Sequence, residues 1–278
     1  MKPKIIFLVL IIGFVSCVNS TDETGNTLSG SIDNDALIMA TLYNHYAAEY
    51  KALSHQAFNI ASERIKKIAD DETIISSLAI IVDIDETILD NSPYQAKLIN
   101  DKIGYPEYWN EWCNLSKAEP VPGALRFLSY ADSLGFTIFY ISNRKKRFVE
   151  DGTIANLREI GFPQVEEGKI LLREDPSDLN PDPSNKESRR TLIENQGYRI
   201  VLLAGDNLGD FFEDSRNTEG RNLIVESVKS EFGKKFIVLP NAMYGNWPAS
   251  LNIGIDNSTI EQLIKNMSDL VDDHDNSK

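Results

Sequence analysis

The spacing of apolar positions changes several times along the chain, and each change marks an element. From Leu37 through Leu42, Tyr46, Tyr50, Leu53, Ala57, Ile60 and Ile68, apolar residues recur at helical spacing. This predicts one long helix, broken at most once, that starts from a cap at Asp33 or Asn34. Ile80, Ile81 and Val82 then form an uninterrupted β-branched run, the pattern of a strand covered on both faces in a parallel sheet. FTIFYI at 136–141, Lys169 to Leu172, RIVLLA at 199–204 and Phe236 to Leu239 predict four more strands. Helices fit between them: Pro122-Gly123 through Leu134, a segment ending at Ile160 before Gly161, and Asn185 through Gln196 before Gly197. Strands alternating with helices imply right-handed crossovers. The expectation is a three-layer, Rossmann-like α/β fold with a parallel sheet, a small helical cap and a long N-terminal helix.

The cap is expected at about 92–120, where Tyr94, Tyr105, Tyr108, Trp109 and Trp112 crowd between turn residues. Residues 174–184 read as a polar, Pro-rich loop, and the acidic stretch from Ser268 as a tail without structure. At the other end, Lys2 and Lys4 precede an apolar run from Ile5 to Val15, too short to cross a bilayer comfortably and suited to an export signal. Ser16-Cys17 at its end resembles a bacterial lipobox, with Phe14 in place of the usual Leu. The expected organisation is a lipoprotein-type signal at 1–16, a Ser/Thr/Asn-rich tether at 17–32, a single domain at 33–265 and the acidic tail at 266–278. Cys17 is the expected lipidation site, and Val18 after it tilts the expected location toward the outer membrane. With Cys17 lipidated, Cys113 is the one remaining thiol and no disulfide within the chain is possible.

The formal charge of −14 over 278 residues argues against a nucleic-acid polymer or an anionic membrane surface as an electrostatic partner. Contact with a membrane is expected only through the anchor, and an anionic substrate must meet a local island of positive charge.

Candidate chemistry lies at the strand ends. Asp83 and Asp85 follow the first strand, Ser142-Asn143-Arg144 the second, and Gly205-Asp206-Asn207-Leu208-Gly209-Asp210 the fourth, while Lys186 opens the helix between the last two. In open α/β sheets ligands bind at the carboxyl ends of the strands, so these groups can converge on one edge. Crowded acids raise one another's pKa unless a cation sits between them. A calcium loop does not fit, because Ile88 and Tyr94 occupy the positions that need Gly and Glu. His45 and His55 are ten residues apart with no third ligand nearby and read as ordinary helix residues.

Asp83-x-Asp85-x-Thr87, Ser142, Lys186 and Gly205-Asp206-x-x-x-Asp210 resemble the four signatures of the haloacid dehalogenase (HAD) superfamily. IVDIDETILDNSPY and VLLAGDNLGDF are similar to the paired signatures of bacterial class C acid phosphatases, with ISNR, NKESR and LPNAMYGNW adding to the likeness over roughly residues 35–250. The resemblance implies Asp83 as the nucleophile that forms an aspartyl-phosphate and Asp85 as the acid and base beside the leaving group. It implies Mg2+ on Asp83 and Asp206, with the Asp85 backbone carbonyl as a third ligand and Asp210 either at the metal or holding Lys186. Ser142 and Lys186 would bind the phosphoryl oxygens, Thr87 would orient the loop, and Arg189 would serve as a structural ion-pair partner. The implied substrates are small phosphate monoesters, nucleoside 5′-monophosphates among them, with Asn143 at the substrate and Tyr244, Trp109 and Trp112 as candidate rings for a nucleobase. The rival expectation is a non-catalytic surface lipoprotein that binds haem or another aromatic ligand through those rings.

Overall fold

The structure, a computed structural model, describes residues 34–73, 75–177, 182–213, 217–251 and 257–275. The expected signal, tether and Cys17 lie outside them.

Helical periodicity at the N-terminus resolves into two helices, α1 (Asn34–Tyr46) and α2 (Ala48–Asp71), separated at Ala47, whose backbone is extended. Five parallel strands form the sheet: β1 (Leu78–Val82), β4 (Thr137–Lys145), β5 (Ile170–Arg173), β6 (Arg199–Gly205) and β7 (Phe236–Val238). Their order in space is β5-β4-β1-β6-β7, which places β1 at the centre. All five residues of β1 are buried because both faces are covered. Ile80 and Val82 face a core with Phe58 and Ile65 of α2 and Phe127 and Leu128 of α5 (Ala124–Ser133), where Phe58 and Phe127 stack 5.5 Å apart. Ala79 and Ile81 face Ile193 of α7 (Glu187–Asn195), Phe211 and Phe236 on the other side. The sheet fold and its parallel order are therefore as the apolar pattern predicts.

Between β1 and α5 the chain makes a two-stranded antiparallel corner, β2 (Leu89–Asp90) with β3 (Glu119–Pro120), and the cap stands on it as α3 (Ser92–Asp101) and α4 (Trp109–Leu115). The cap is fastened on two sides. His45 of α1 meets Ser92 at 2.8 Å and Asp90 at 3.5 Å, so it ties α1 to the root of the cap. Asn156 of α6 (Lys146–Ile160) exchanges hydrogen bonds of 3.1 and 2.9 Å with the Ala118 backbone. α4 approaches α6 so closely that a Cβ on Gly152 would lie 2.6 Å from the Asn114 Cα.

Three expectations need correction. β4 runs to Lys145, beyond Ile141, and carries Ser142, Asn143 and Arg144 within the strand; the pairing with β5 shifts between Ile141 and Lys145 as the edge curls. Residues 213–235, where no element was predicted, hold α8 (Thr218–Val228), whose Asn217 cap accepts from the Gly220 amide. The acidic stretch from Ser268 is helical through Asp275 as part of α10 (Asn257–Asp275), supported by the Lys265–Asp269 pair at 2.7 Å one turn apart. A short helix α9 (Asn246–Ser250) precedes it.

Candidate active site

The carboxyl ends of β1, β4 and β6 deliver the acids and their partners to one place. The Asp83 amide still donates to Ala204 of β6 at 2.9 Å, which fixes its side chain at the sheet edge. A tight turn follows. The amides of Ile88 and Leu89 both return to the Ile84 carbonyl, and Glu86 takes the left-handed conformation at φ 58. Thr87 thereby comes back over Asp83, and its hydroxyl donates to Asp83 Oδ2 at 3.1 Å.

Lys186, at the start of α7, extends its ammonium to Asp83 Oδ1, to Asp210 Oδ1 at 2.6 Å and to the Ile141 carbonyl at 3.0 Å. Asp210 sits on a single helical turn, Leu208–Asp210, and accepts from the Asn207 amide at 2.9 Å. Room for that carboxylate exists because residue 205 is glycine: a Cβ there would lie 2.3 Å from an Asp210 oxygen. Asp206 accepts from Asn241 Nδ2 at 2.7 Å. Oxygens of Asp83, Asp206 and Asp210 all lie within 4.8 Å of one another.

Three carboxylates, those of Asp83 and Asp210 buried and that of Asp206 half-buried, therefore share one space with one ammonium. Burial pushes the Asp83 carboxyl up to about 7 against the pull of Lys186, with Asp210 and Asp85 raising it further. Burial, then Asp210 and Asp83, hold Asp206 well above the carboxylate range. Burial alone would lower the Lys186 ammonium, but Asp210 and Asp83 outweigh it and raise it. Hard oxygen donors in excess of positive charge fit a divalent cation, and Asp83, Asp206 and Asp210 are the residues that could hold one. Neither His45 nor His55 belongs to this cluster.

The Asp85 carboxylate stands apart from the cluster and accepts from Ser142 Oγ at 2.9 Å, Arg144 Nε at 2.9 Å and Asn91 Nδ2 at 3.0 Å. Ser142 and Arg144 share one side of β4 and Asn143 projects to the other, as strand alternation requires. The amide of Asn143 consequently donates to the Ser184 carbonyl at 2.9 Å and accepts from Arg189 at 2.6 Å. This corrects the expectation for Asn143: both ends of its amide are taken up by Ser184 and by Arg189 of α7. Arg189 is corrected too. Its guanidinium grips the carbonyls of Ser142, Leu171 and Pro183 rather than a carboxylate, and burial brings it down to about 10.

Of the aromatic candidates, Trp112 packs against the core and donates its indole N–H to Asn91 at 2.8 Å, which removes it from the expected substrate-binding set. Trp109 is half-buried, edge-on to Tyr94 at 5.0 Å and Tyr105 at 6.0 Å, and lines a 120 Å³ cleft with Phe148 and Lys145. Tyr244 is half-buried, and its buried hydroxyl has no hydrogen-bond partner among the described residues. No ring contact joins Tyr244 to Trp109 among the described residues.

Sequence reasoning did not single out Arg144, Glu86, Asn91 or Asn241. All four stand inside or beside the motifs it used, and an unbroken run such as Asp85-Glu86-Thr87 with Asn91 close behind was the available signal.

Residues 26–247 match the family described as HAD superfamily, subfamily IIIB (acid phosphatase). The structure is similar to the crystal structure of the class C acid phosphatase from Bacillus anthracis with tungstate bound, with a TM-score of 0.72 and 41% identity over 79% of this chain and 89% of that one. Among plant proteins, the chain is 34% identical over 178 residues to a stem 31 kDa glycoprotein of Glycine max, covering 62% of this chain and 63% of that protein. It is 27% identical over 168 residues to acid phosphatase 1 of Solanum lycopersicum, covering 59% and 57%. The chain thus spans less than two thirds of the length of these plant relatives.

Proposed function

Because the chain belongs to the HAD superfamily, subfamily IIIB (acid phosphatase), we propose that it is a magnesium-dependent phosphomonoesterase acting on small phosphate esters, nucleoside 5′-monophosphates in particular. One observation carries this reading: Asp83 lies at the carboxyl edge of the central strand with Lys186 on one of its oxygens and Asp206 and Asp210 beside it. The tungstate in the Bacillus anthracis relative is a tetrahedral oxyanion, and phosphate has the same shape.

The chemistry follows from the groups present. An Asp83 oxygen attacks phosphorus in line with the ester bond, which breaks as the aspartyl-phosphate bond forms. The proton on Asp85 passes to the departing ester oxygen, and the alcohol leaves. Water then gives a proton back to Asp85 and its oxygen attacks phosphorus, which releases inorganic phosphate and restores the Asp83 carboxylate. Ser142 Oγ and Lys186 Nζ are the donors for the phosphoryl oxygens, and they supply the positive island that the acidic chain needs. Mg2+ held by Asp83, Asp206 and Asp210 would neutralise charge on the carboxylates and the phosphoryl group.

Base recognition is assigned to Tyr244, with Trp109 as the second ring. If Tyr244 stacks on the base, Tyr244→Ala should raise KM for nucleoside monophosphates roughly 5- to 150-fold, the equivalent of about 1 to 3 kcal/mol. Hydrolysis of a small ester without a ring should change little. Equal losses on both, with a lowered melting temperature, would instead place Tyr244 in the packing under its loop.

We also read the N-terminal segment as an export signal that ends in lipidation of Cys17, with the outer membrane as destination. The expected result is that the full chain partitions into detergent with the membrane fraction and that Cys17→Ala releases it. Unchanged partitioning of Cys17→Ala would remove the anchor from this reading.

A further inference from the structure

Asp85 Oδ1 and Oδ2 have unequal surroundings. Oδ1 accepts from Arg144 Nε at 2.9 Å and Asn91 Nδ2 at 3.0 Å, and Arg144 Nη2 lies 2.8 Å from the same atom. Among the described residues, Oδ2 meets only the hydroxyl of Ser142, at 2.9 Å. The nitrogens around Oδ1 are themselves fixed. Arg144 is only 2% exposed, donates from Nη1 to Thr153 at 3.1 Å and lies under Trp109 at 5.6 Å from the ring centroid. Asn91 is held through its backbone amide and Nδ2 by Glu86 at 2.7 and 3.0 Å and through Oδ1 by Trp112 at 2.8 Å.

We infer that Arg144, with Asn91, is a positioning residue for proton transfer: by occupying Oδ1 it makes Oδ2 the oxygen of Asp85 that delivers the proton to the leaving group and recovers it from water. This deepens the phosphatase reading above and rests on it. A serine hydroxyl can rotate, whereas the guanidinium fork and the carboxamide cannot rearrange without breaking several bonds at once. When a phosphoryl oxygen draws the Ser142 hydroxyl, Oδ2 is the atom released toward the ester. In the step itself, the O–H bond at Oδ2 breaks as the bond from that hydrogen to the ester oxygen forms. A buried arginine that merely balances the charge of Asp85 would do as well as a lysine. One that orients the carboxylate would not, because an ammonium is a point charge without the fork.

The test uses the full chain with Mg2+ and two substrates: 4-nitrophenyl phosphate, whose leaving group departs as a stable anion, and a nucleoside 5′-monophosphate, whose alkoxide needs a proton. kcat/KM covers the steps through departure of the alcohol. Arg144→Lys is expected to lower kcat/KM for the nucleotide at least about 10-fold more than for the aryl ester, within the roughly 10² to 10⁴ range of general-acid catalysis. Asp85→Asn should show the same selectivity, and Arg144→Lys added to it should bring no further selective loss. Equal losses on the two esters, or a selective loss that persists in the Asp85→Asn background, would overturn the inference. Should Arg144→Lys fail to fold, Thr153→Val, which keeps every charge and frees only Nη1, should show the same selectivity at smaller amplitude, and equal losses there overturn the inference in the same way. A wild-type chain that hydrolyses neither ester sinks the phosphatase reading itself, whereas an active wild type with unselective variants sinks only the role of Arg144.

Discussion

Asp83→Asn should abolish turnover and leave the fold standing. An amide is nearly isosteric with the carboxylate, still offers an oxygen to the Thr87 hydroxyl, and leaves Lys186 its bond to Asp210. It also removes a negative charge from a place where burial already pushes the carboxyl up to about 7, so the melting temperature should move by only a few degrees. What the amide cannot do is attack phosphorus and carry the phosphoryl group. Loss of a nucleophile typically costs several powers of ten. Residual turnover above about one per cent of wild type, by initial rates on 4-nitrophenyl phosphate, would contradict a nucleophilic Asp83.

Exhaustive chelation should be nearly as severe, and it should act on stability as well as rate. Asp83, Asp206 and Asp210 crowd around a single ammonium, and Arg190 of α7 reaches the Asp210 backbone carbonyl at 2.7 Å rather than its carboxylate. Because the folded form holds Asp83 and Asp206 above the usual carboxylate range, it binds more protons than the unfolded chain between about pH 4 and pH 7. The contribution of this cluster to the stability of the metal-free protein therefore falls as pH rises through that window. A bound cation competes with those protons, so added Mg2+ should raise the melting temperature more at pH 7 than at pH 5 and should restore activity. Asp206→Ala should behave like the chelated protein. Full activity after chelation, or a magnesium increment that shrinks with rising pH, would remove the metal from the site.

Much of this arrangement was legible because it obeys simple periods. β1 is buried on both faces, so its apolar run is continuous and its end is unmistakable. The acids at that end, at Asp206 and at Asp210 are sequence neighbours of strands, and a parallel sheet has no choice but to gather them. Less legible were contacts made across the fold. Arg144 is one basic residue in the run Arg144-Lys145-Lys146-Arg147, and nothing local says that it is the one buried against Asp85, 59 positions away. Asn143 stands next to Ser142 and so suggests a shared substrate contact, but it lies within β4, where neighbours face opposite ways. α8 leaves little trace in the sequence because Arg221 is its only buried residue, so its apolar stripe is faint. α10 has an acidic composition that suggests a solvated coil, and it is carried instead by pairs one turn apart such as Lys265 with Asp269.

The corner at β2 and β3 also bears on how such a protein can change over generations. The chain leaves the body at Asp90 and re-enters at Glu119, and these two residues are direct partners across the corner. Insertions and deletions between them that keep Asn91, Trp109 and Trp112, the residues that reach back to Asp85 and Arg144, begin and end at one point, so they need not shift β1 or the carboxylates beyond it. The rest of the segment 92–118 is thus a replaceable part on a constant engine. Descendants could diverge in what they admit by exchanging this one stretch, while the reaction they perform stays the same.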